Sequence, residues 1–103
     1  AMGAALFAEK ITAEQADAWG MIFEAIEDDA FDAHWRARAA KLATGPSVAY
    51  KNIKNALGKT WQNTLEEQLS LEAKLQKECG NTRDFQEGIL SFIEKRAPKF
   101  EGR

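Results

Sequence analysis

Asp84-Phe85-Gln86-Glu87-Gly88-Ile89-Leu90-Ser91-Phe92-Ile93-Glu94-Lys95-Arg96-Ala97-Pro98-Lys99-Phe100-Glu101-Gly102-Arg103 is the stretch around which the chain is organised. Phe85, Ile89, Phe92 and Ile93 recur at i, i+4, i+7 and i+8, which makes one apolar stripe on a helix. Pro98 is expected to stop that helix. Lys95 and Arg96 flank the stripe and Lys99 follows it, so a cationic cluster stands beside an aromatic ring at a helix C-terminus. Two readings fit this spacing. Cations at that end are favoured by the helix dipole, whatever else they do. Alternatively Phe92 and Lys95, three apart and so on one helical face, offer a ring and a charge to a nucleotide base and its phosphate. Spacing alone leaves both open.

Working outward, Asn81 or Thr82 caps this helix, and Gly80-Asn81 ends the one before it. That preceding helix opens at Thr64-Leu65-Glu66-Glu67, a capping box in which each end residue bonds the other's backbone amide. Its apolar positions, Leu65, Leu69, Leu71, Ala73, Leu75 and Cys79, cover more than half the circumference at 100° per residue. One neighbouring helix could not bury so wide an arc. Ala49, Ile53, Ala56, Leu57 and Trp61 predict a helix stripe opened by Pro46 at the first helical position, after Gly45 has closed the helix before. That earlier helix begins at Asp28-Asp29, where negative charge suits the N-terminal dipole, and carries Phe31, Trp35, Ala39 and Leu42. Thr12-Ala13-Glu14-Gln15 is a second capping box, heading a short helix over 13–18 that Gly20 ends. Met21 to Ile26 has the composition of a strand but no ladder partner, so it is either irregular or paired outside this sequence. Residues 1–8 are apolar almost throughout and enter a helix without a cap, which leads us to expect further chain before Ala1. The expected fold class is all-α, five or six helices joined by tight turns.

The chain has 103 residues, which bounds it to one domain with a modest core. Lys and Arg total 14 against 16 for Asp and Glu, so a broad basic nucleic-acid surface is not expected. No apolar run nears the roughly eighteen residues of a membrane span and no leader is visible, so a cytoplasmic protein without membrane contact is expected. The one cysteine, Cys79, reads as a small core hydrophobe, and no metal-ligand spacing appears. The one histidine, His34, sits beside the stripe of its helix as a partly exposed residue. No Ser or Cys stands in a motif that would supply a base and an orienting group, and no glycine-rich loop follows a strand. Composition and spacing alone give a helical interaction domain without catalytic machinery.

A more specific pattern runs through the whole chain. Ala1-Met2-Gly3-Ala4-Ala5-Leu6, Ala13-Glu14-Gln15-Ala16, Trp19-Gly20-Met21-Ile22, Gly45-Pro46, Asn63-Thr64-Leu65, Gln68-Leu69, Leu71-Glu72, Glu87-Gly88, Phe92, Lys95-Arg96, Pro98 and Phe100-x-Gly102 stand in one order and spacing. In that order and spacing the chain resembles the C-terminal part of the crotonase (enoyl-CoA hydratase/isomerase) superfamily. Trp19-Gly20-Met21-Ile22 with Asp28-Asp29, and Asn63-Thr64-Leu65, are most like its phenylacetate-degradation branch, which isomerises ring-epoxidised phenylacetyl-CoA.

The resemblance implies a longer parent enzyme. Its N-terminal ββα spiral domain would hold the oxyanion hole and the catalytic carboxylates, and would be absent from residues 1–103. Donors of that kind stabilise charge that develops in the transition state. The present chain would then be the helical C-terminal trimerisation domain, closing the acyl-CoA site and packing subunits into homo-oligomers, trimers or hexamers. Phe92 and Lys95 match the family's Phe-x-x-Lys, implying a ring near the CoA adenine and an amine at a CoA phosphate. Met2, Leu6 and Phe7 match the helix bordering the acyl pocket. Ala8 stands where the family often has glycine. No catalytic residue, metal or separate cofactor is implied within the chain, coenzyme A thioester being the substrate. An arginine commonly precedes the position of Ala1 in this pattern, so a cut of the tryptic kind is the expected origin of such a piece. The rival readings are a stand-alone helical oligomerisation or adaptor module without ligand, and a small enzyme using His34 or Cys79.

Overall fold

Threonine side chains begin three of the helices, as short-range hydrogen bonding predicts. The computed structural model describes residues 2–103. Among them, α1 spans Met2–Phe7, α2 Ala13–Ala18, α3 Asp28–Ala43, α4 Ser47–Lys59, α5 Leu65–Gly80 and α6 Arg83–Ile93. No strand occurs among the described residues, so the fold is all-α. Ala1, part of the expected first helix, lies outside them. Thr12 and Thr64 each form the full reciprocal capping box, and the Thr82 hydroxyl accepts from the Phe85 amide at 3.1 Å. Losing such a cap costs about 1 kcal/mol.

The chain divides into two compact units, Ala1–Arg36 and Ala37–Arg103, with the boundary inside the residue range of α3. In the first, α2 ends in a Schellman turn: Gly20 takes φ +69°, and the Met21 amide reaches the Ala16 carbonyl at 2.8 Å. The strand-like residues 21–26 are irregular. The Ala25 amide bonds the Asp17 carboxylate at 3.1 Å, and His34 Nε2 lies 2.7 Å from Glu24 Oε1. α1 closes with Ala8 at φ +50° and its amide on the Ala4 carbonyl at 3.2 Å. The left-handed cap that glycine often supplies is therefore kept without glycine, at a cost of about 1–2 kcal/mol.

In the second unit α4 packs on α5 and α5 on α6. Gly45 precedes α4 because there is no room for a side chain: a Cβ would sit 2.0 Å from Tyr50 Oη. Pro46 is the N-cap rather than the first helical residue, and its carbonyl accepts from the Tyr50 amide at 3.1 Å. The α4–α5 contact is centred on Asn52 and Leu75, 4% and 6% exposed. Asn52 Nδ2 donates to the Leu75 carbonyl at 3.3 Å, and both Glu78 Oε2 and Cys79 Sγ lie 3.4 Å from it.

Burial follows the apolar stripe in α5, where Leu75 is the buried position, but not in α6, whose buried residues are Asp84 and Ser91. Phe31, Leu42, Ile53, Leu57, Leu65 and Leu69 are all exposed, and Trp61 lies beyond the end of α4 almost fully in solvent. A stripe marks the arc a helix can have covered. Each of these helices carries a wider apolar arc than its neighbours in the unit bury.

Candidate functional site

The site expected from the sequence lies at the end of α6. The helix stops at Ile93, with Glu94 as its C-cap, well before Pro98. A second Schellman turn ends it. The Arg96 amide reaches the Ser91 carbonyl at 3.0 Å and the Lys95 amide the Phe92 carbonyl at 3.3 Å, with Lys95 itself at φ +55°. Lys95 therefore occupies the position that Gly20 occupies after α2. This corrects the expectation that Phe92 and Lys95 share a helical face. They are joined by the turn, and the direction of the Lys95 side chain is set by a left-handed backbone, not by helical periodicity.

The cationic cluster also divides. Arg96 turns back on α6, where its guanidinium meets both oxygens of Glu87, with Nη2 to Oε2 at 2.8 Å, while Nε reaches Glu94 Oε2 at 2.6 Å. That pairing, with the Lys99 amide on Glu87 Oε1 at 2.7 Å, pulls the Glu87 carboxyl down to about 2 and raises the Arg96 guanidinium further. Arg96 is thus spent within the fold. Lys95 and Lys99 have no ion-pair partner among the described residues.

Beyond the turn, residues 94–103 run back along α6 as a strap. Asp84, 4% exposed in the first turn of α6, takes the Glu101 amide on Oδ1 at 2.7 Å and the Gly102 amide on Oδ2 at 2.9 Å. Its own amide donates to the Arg103 carbonyl at 3.1 Å. Gly102, at φ +76°, leaves room for Ser47, whose hydroxyl would lie 2.6 Å from a Cβ there. Between strap and helices is an apolar groove of about 600 Å³, walled by Phe85, Ile89 and Phe92 of α6, Ala49 of α4, Cys79 of α5 and Phe100 of the strap. Phe92 lines it and is 84% exposed, so its ring is open to a partner. Lys95 does not line it.

Met2, Leu6 and Phe7 lie in the other unit, all strongly exposed. Phe7 alone of them lines a cavity of about 400 Å³, with Ile11, Trp19 and Met21. Cys79 is half-buried on the groove wall rather than a closed core residue. No group of three His, Cys, Asp or Glu that could hold a metal ion occurs among the described residues. No helix among them is long and apolar enough to cross a membrane. Sequence reasoning gave no role to Asp84 and Glu87. Their spacing of three on an amphipathic helix, followed by a Gly-containing tail, is the signal that could have found them.

Comparison with known proteins agrees across the full length. The family model for enoyl-CoA hydratase/isomerase matches residues 1–103. A probable enoyl-CoA hydratase of Rhodobacter capsulatus is 55% identical over 103 residues, covering 100% of this chain and 40% of its own length. The 1,2-epoxyphenylacetyl-CoA isomerase of Escherichia coli is 39% identical over 103 residues, 100% of this chain and 39% of its own. The crystal structure of an enoyl-CoA hydratase from Geobacillus kaustophilus superposes with a TM-score of 0.85 at 28% identity, over 95% of this chain and 37% of that one. The chain thus spans about two fifths of the curated relatives it matches.

Proposed function

Because the chain belongs to the enoyl-CoA hydratase/isomerase family, we propose that it is the helical part of an acyl-CoA enzyme of the crotonase type. In this reading the whole enzyme hydrates or isomerises an acyl-CoA through a thioester enolate. The substrate branch is that of ring-epoxidised phenylacetyl-CoA, which the 39% identity to the Escherichia coli isomerase supports. Residues 1–103 hold the nucleotide end of the substrate and make contacts between copies in a cytoplasmic trimer or hexamer. By themselves they turn nothing over, since the oxyanion hole and catalytic carboxylates belong to the rest of the enzyme. Met2, Leu6 and Phe7 border the acyl group. No cofactor is needed beyond the CoA thioester itself. The many exposed large apolar side chains, Trp61 and Leu65 foremost, support an assembly that covers them.

The observation that carries the nucleotide role is Lys95 at φ +55°. Glycine would fill that cap without strain, and a lysine there costs about 1–3 kcal/mol. Ala8 shows that the fold tolerates such a cap, so what singles out Lys95 is a charged side chain that the fold itself does not pair. An ammonium without an ion-pair partner, one turn from the open ring of Phe92, suits a phosphate and a base. Titration of the chain with coenzyme A tests this. Lys95→Gly is expected to weaken binding at least tenfold while raising thermal stability. Binding of coenzyme A that is indifferent to Lys95→Gly and to Phe92→Ala would overturn the reading.

A further inference from the structure

The strap is held to α6 by its main chain more than by its side chains. Asp84 and Glu87, one turn apart and so on one face of the helix, accept the amides of Glu101, Gly102 and Lys99, and Glu87 also draws in Arg96. Phe100 is the strap's large apolar contact. It lines the groove, and its ring edge lies 4.0 Å from where a Gly88 Cβ would be. A segment held by a few directional bonds and one ring opens at lower free energy than the helices beneath it.

We infer that Asp84 and Glu87 are positioning residues that form a two-carboxylate latch. The latch holds residues 94–103 across the groove, with Phe100 as the inner face, and so fixes both the groove's width and the attitude of the Phe92–Lys95 turn. The ligand side of this inference rests on the nucleotide reading above. The latch itself can be tested with no ligand present.

Cys79, the one cysteine, lies on the groove wall and reports its opening. Two quantities are measured on the full chain: hydrogen exchange at the Lys99, Glu101 and Gly102 amides, and the rate of Cys79 modification by a bulky aromatic disulfide. Glu87→Gln is expected to speed exchange at Lys99 at least tenfold and Cys79 labelling at least threefold, with α5 amides unchanged. Asp84→Asn should do the same at Glu101 and Gly102. If the buried Asp84 variant fails to fold, the more exposed Glu87 variant carries the test. Phe100→Ala separates wall from grip, and should speed labelling while leaving the Lys99 amide protected. Strap amides indifferent to both carboxylate variants, or released with no change at Cys79, would overturn the latch.

Coenzyme A titration of the same variants distinguishes the two proposals. A Glu87→Gln chain that binds coenzyme A at least threefold more weakly supports the positioning role. Coupled exchange and labelling in a chain that binds no coenzyme A uphold the latch and sink the nucleotide reading. Lys95-dependent binding without coupling does the reverse.

Discussion

Glu87 and Arg96, nine residues apart, meet fork to fork, with Nη2 2.8 Å from Oε2 and the Lys99 amide sharing Oε1. The hydrogen bonds and the opposite charge favour the ionised carboxylate, lowering it from 4.5 to about 2. Since the folded value lies below the unfolded one, the pair's contribution is fully present above about 4.5 and is lost as the pH falls through 2. The Glu87 carboxyl carbon is expected to titrate near the lower value by NMR, and the Lys99 amide to stay protected at pH 4. A midpoint near 4.5 would mean that the fork does not persist in solution.

Ala8 and Lys95 share a backbone conformation, at φ +50° and +55°, but not a proposed role. Ala8→Gly should therefore stabilise the fold by about 0.5–1 kcal/mol, relief of left-handed strain outweighing the extra freedom glycine has when unfolded. Thermal denaturation checks the gain. Coenzyme A affinity should not change, in contrast to Lys95→Gly.

Gly45→Ala is expected to destabilise by about 1–3 kcal/mol, because the new methyl would sit 2.0 Å from Tyr50 Oη and 2.5 Å from Cζ and must displace the ring. Removing that ring in Tyr50→Ala should abolish most of the penalty. A double-mutant cycle in urea would then show a coupling energy of at least about 1 kcal/mol. Additive effects would place the strain elsewhere.

Asn52→Ala leaves the Leu75 carbonyl without the amide that reaches it at 3.3 Å in the buried α4–α5 contact. The expected loss is about 1–3 kcal/mol. Leu75→Ala, which empties the apolar side of the same contact, should cost about 2–5 kcal/mol. Equilibrium unfolding measures both, and a neutral Asn52→Ala would show that packing alone joins these helices.

What was legible in the sequence follows the range of the bonds involved. Thr12, Thr64 and Thr82 cap helices through atoms three residues away, and Gly20 ends α2 through its own backbone freedom, so these starts and stops could be read locally. Periodicity put Phe92 on the apolar stripe of α6, where it lines the groove, and the family was legible in the order of its motifs. Three things were out of reach. The Asp84–Glu101 bond joins residues seventeen apart and depends on the chain reversing at Lys95. The reversal itself uses a lysine where propensity asks for glycine, so no local rule announces it. The apolar stripes of α3 and α4 show where cover is possible, and the most buried position of α4, Asn52, is a polar residue set beside Ala49 and Ala56 of its stripe, which no hydrophobic pattern marks.

The strap is gripped through amide hydrogens, which every residue except proline carries. At positions 99 and 101 the fold therefore asks only for a backbone N–H, and at 102 for glycine, whose φ of +76° and nearness to Ser47 leave no alternative. Glu101 pairs only with the exposed Arg83 and Arg103, so side chains at 99 and 101 are free to drift or be redesigned at little structural cost. Diversity among relatives should concentrate at these two positions, and a library varied at Lys99 and Glu101 alone would retune the charge around the groove while the scaffold stays as it is.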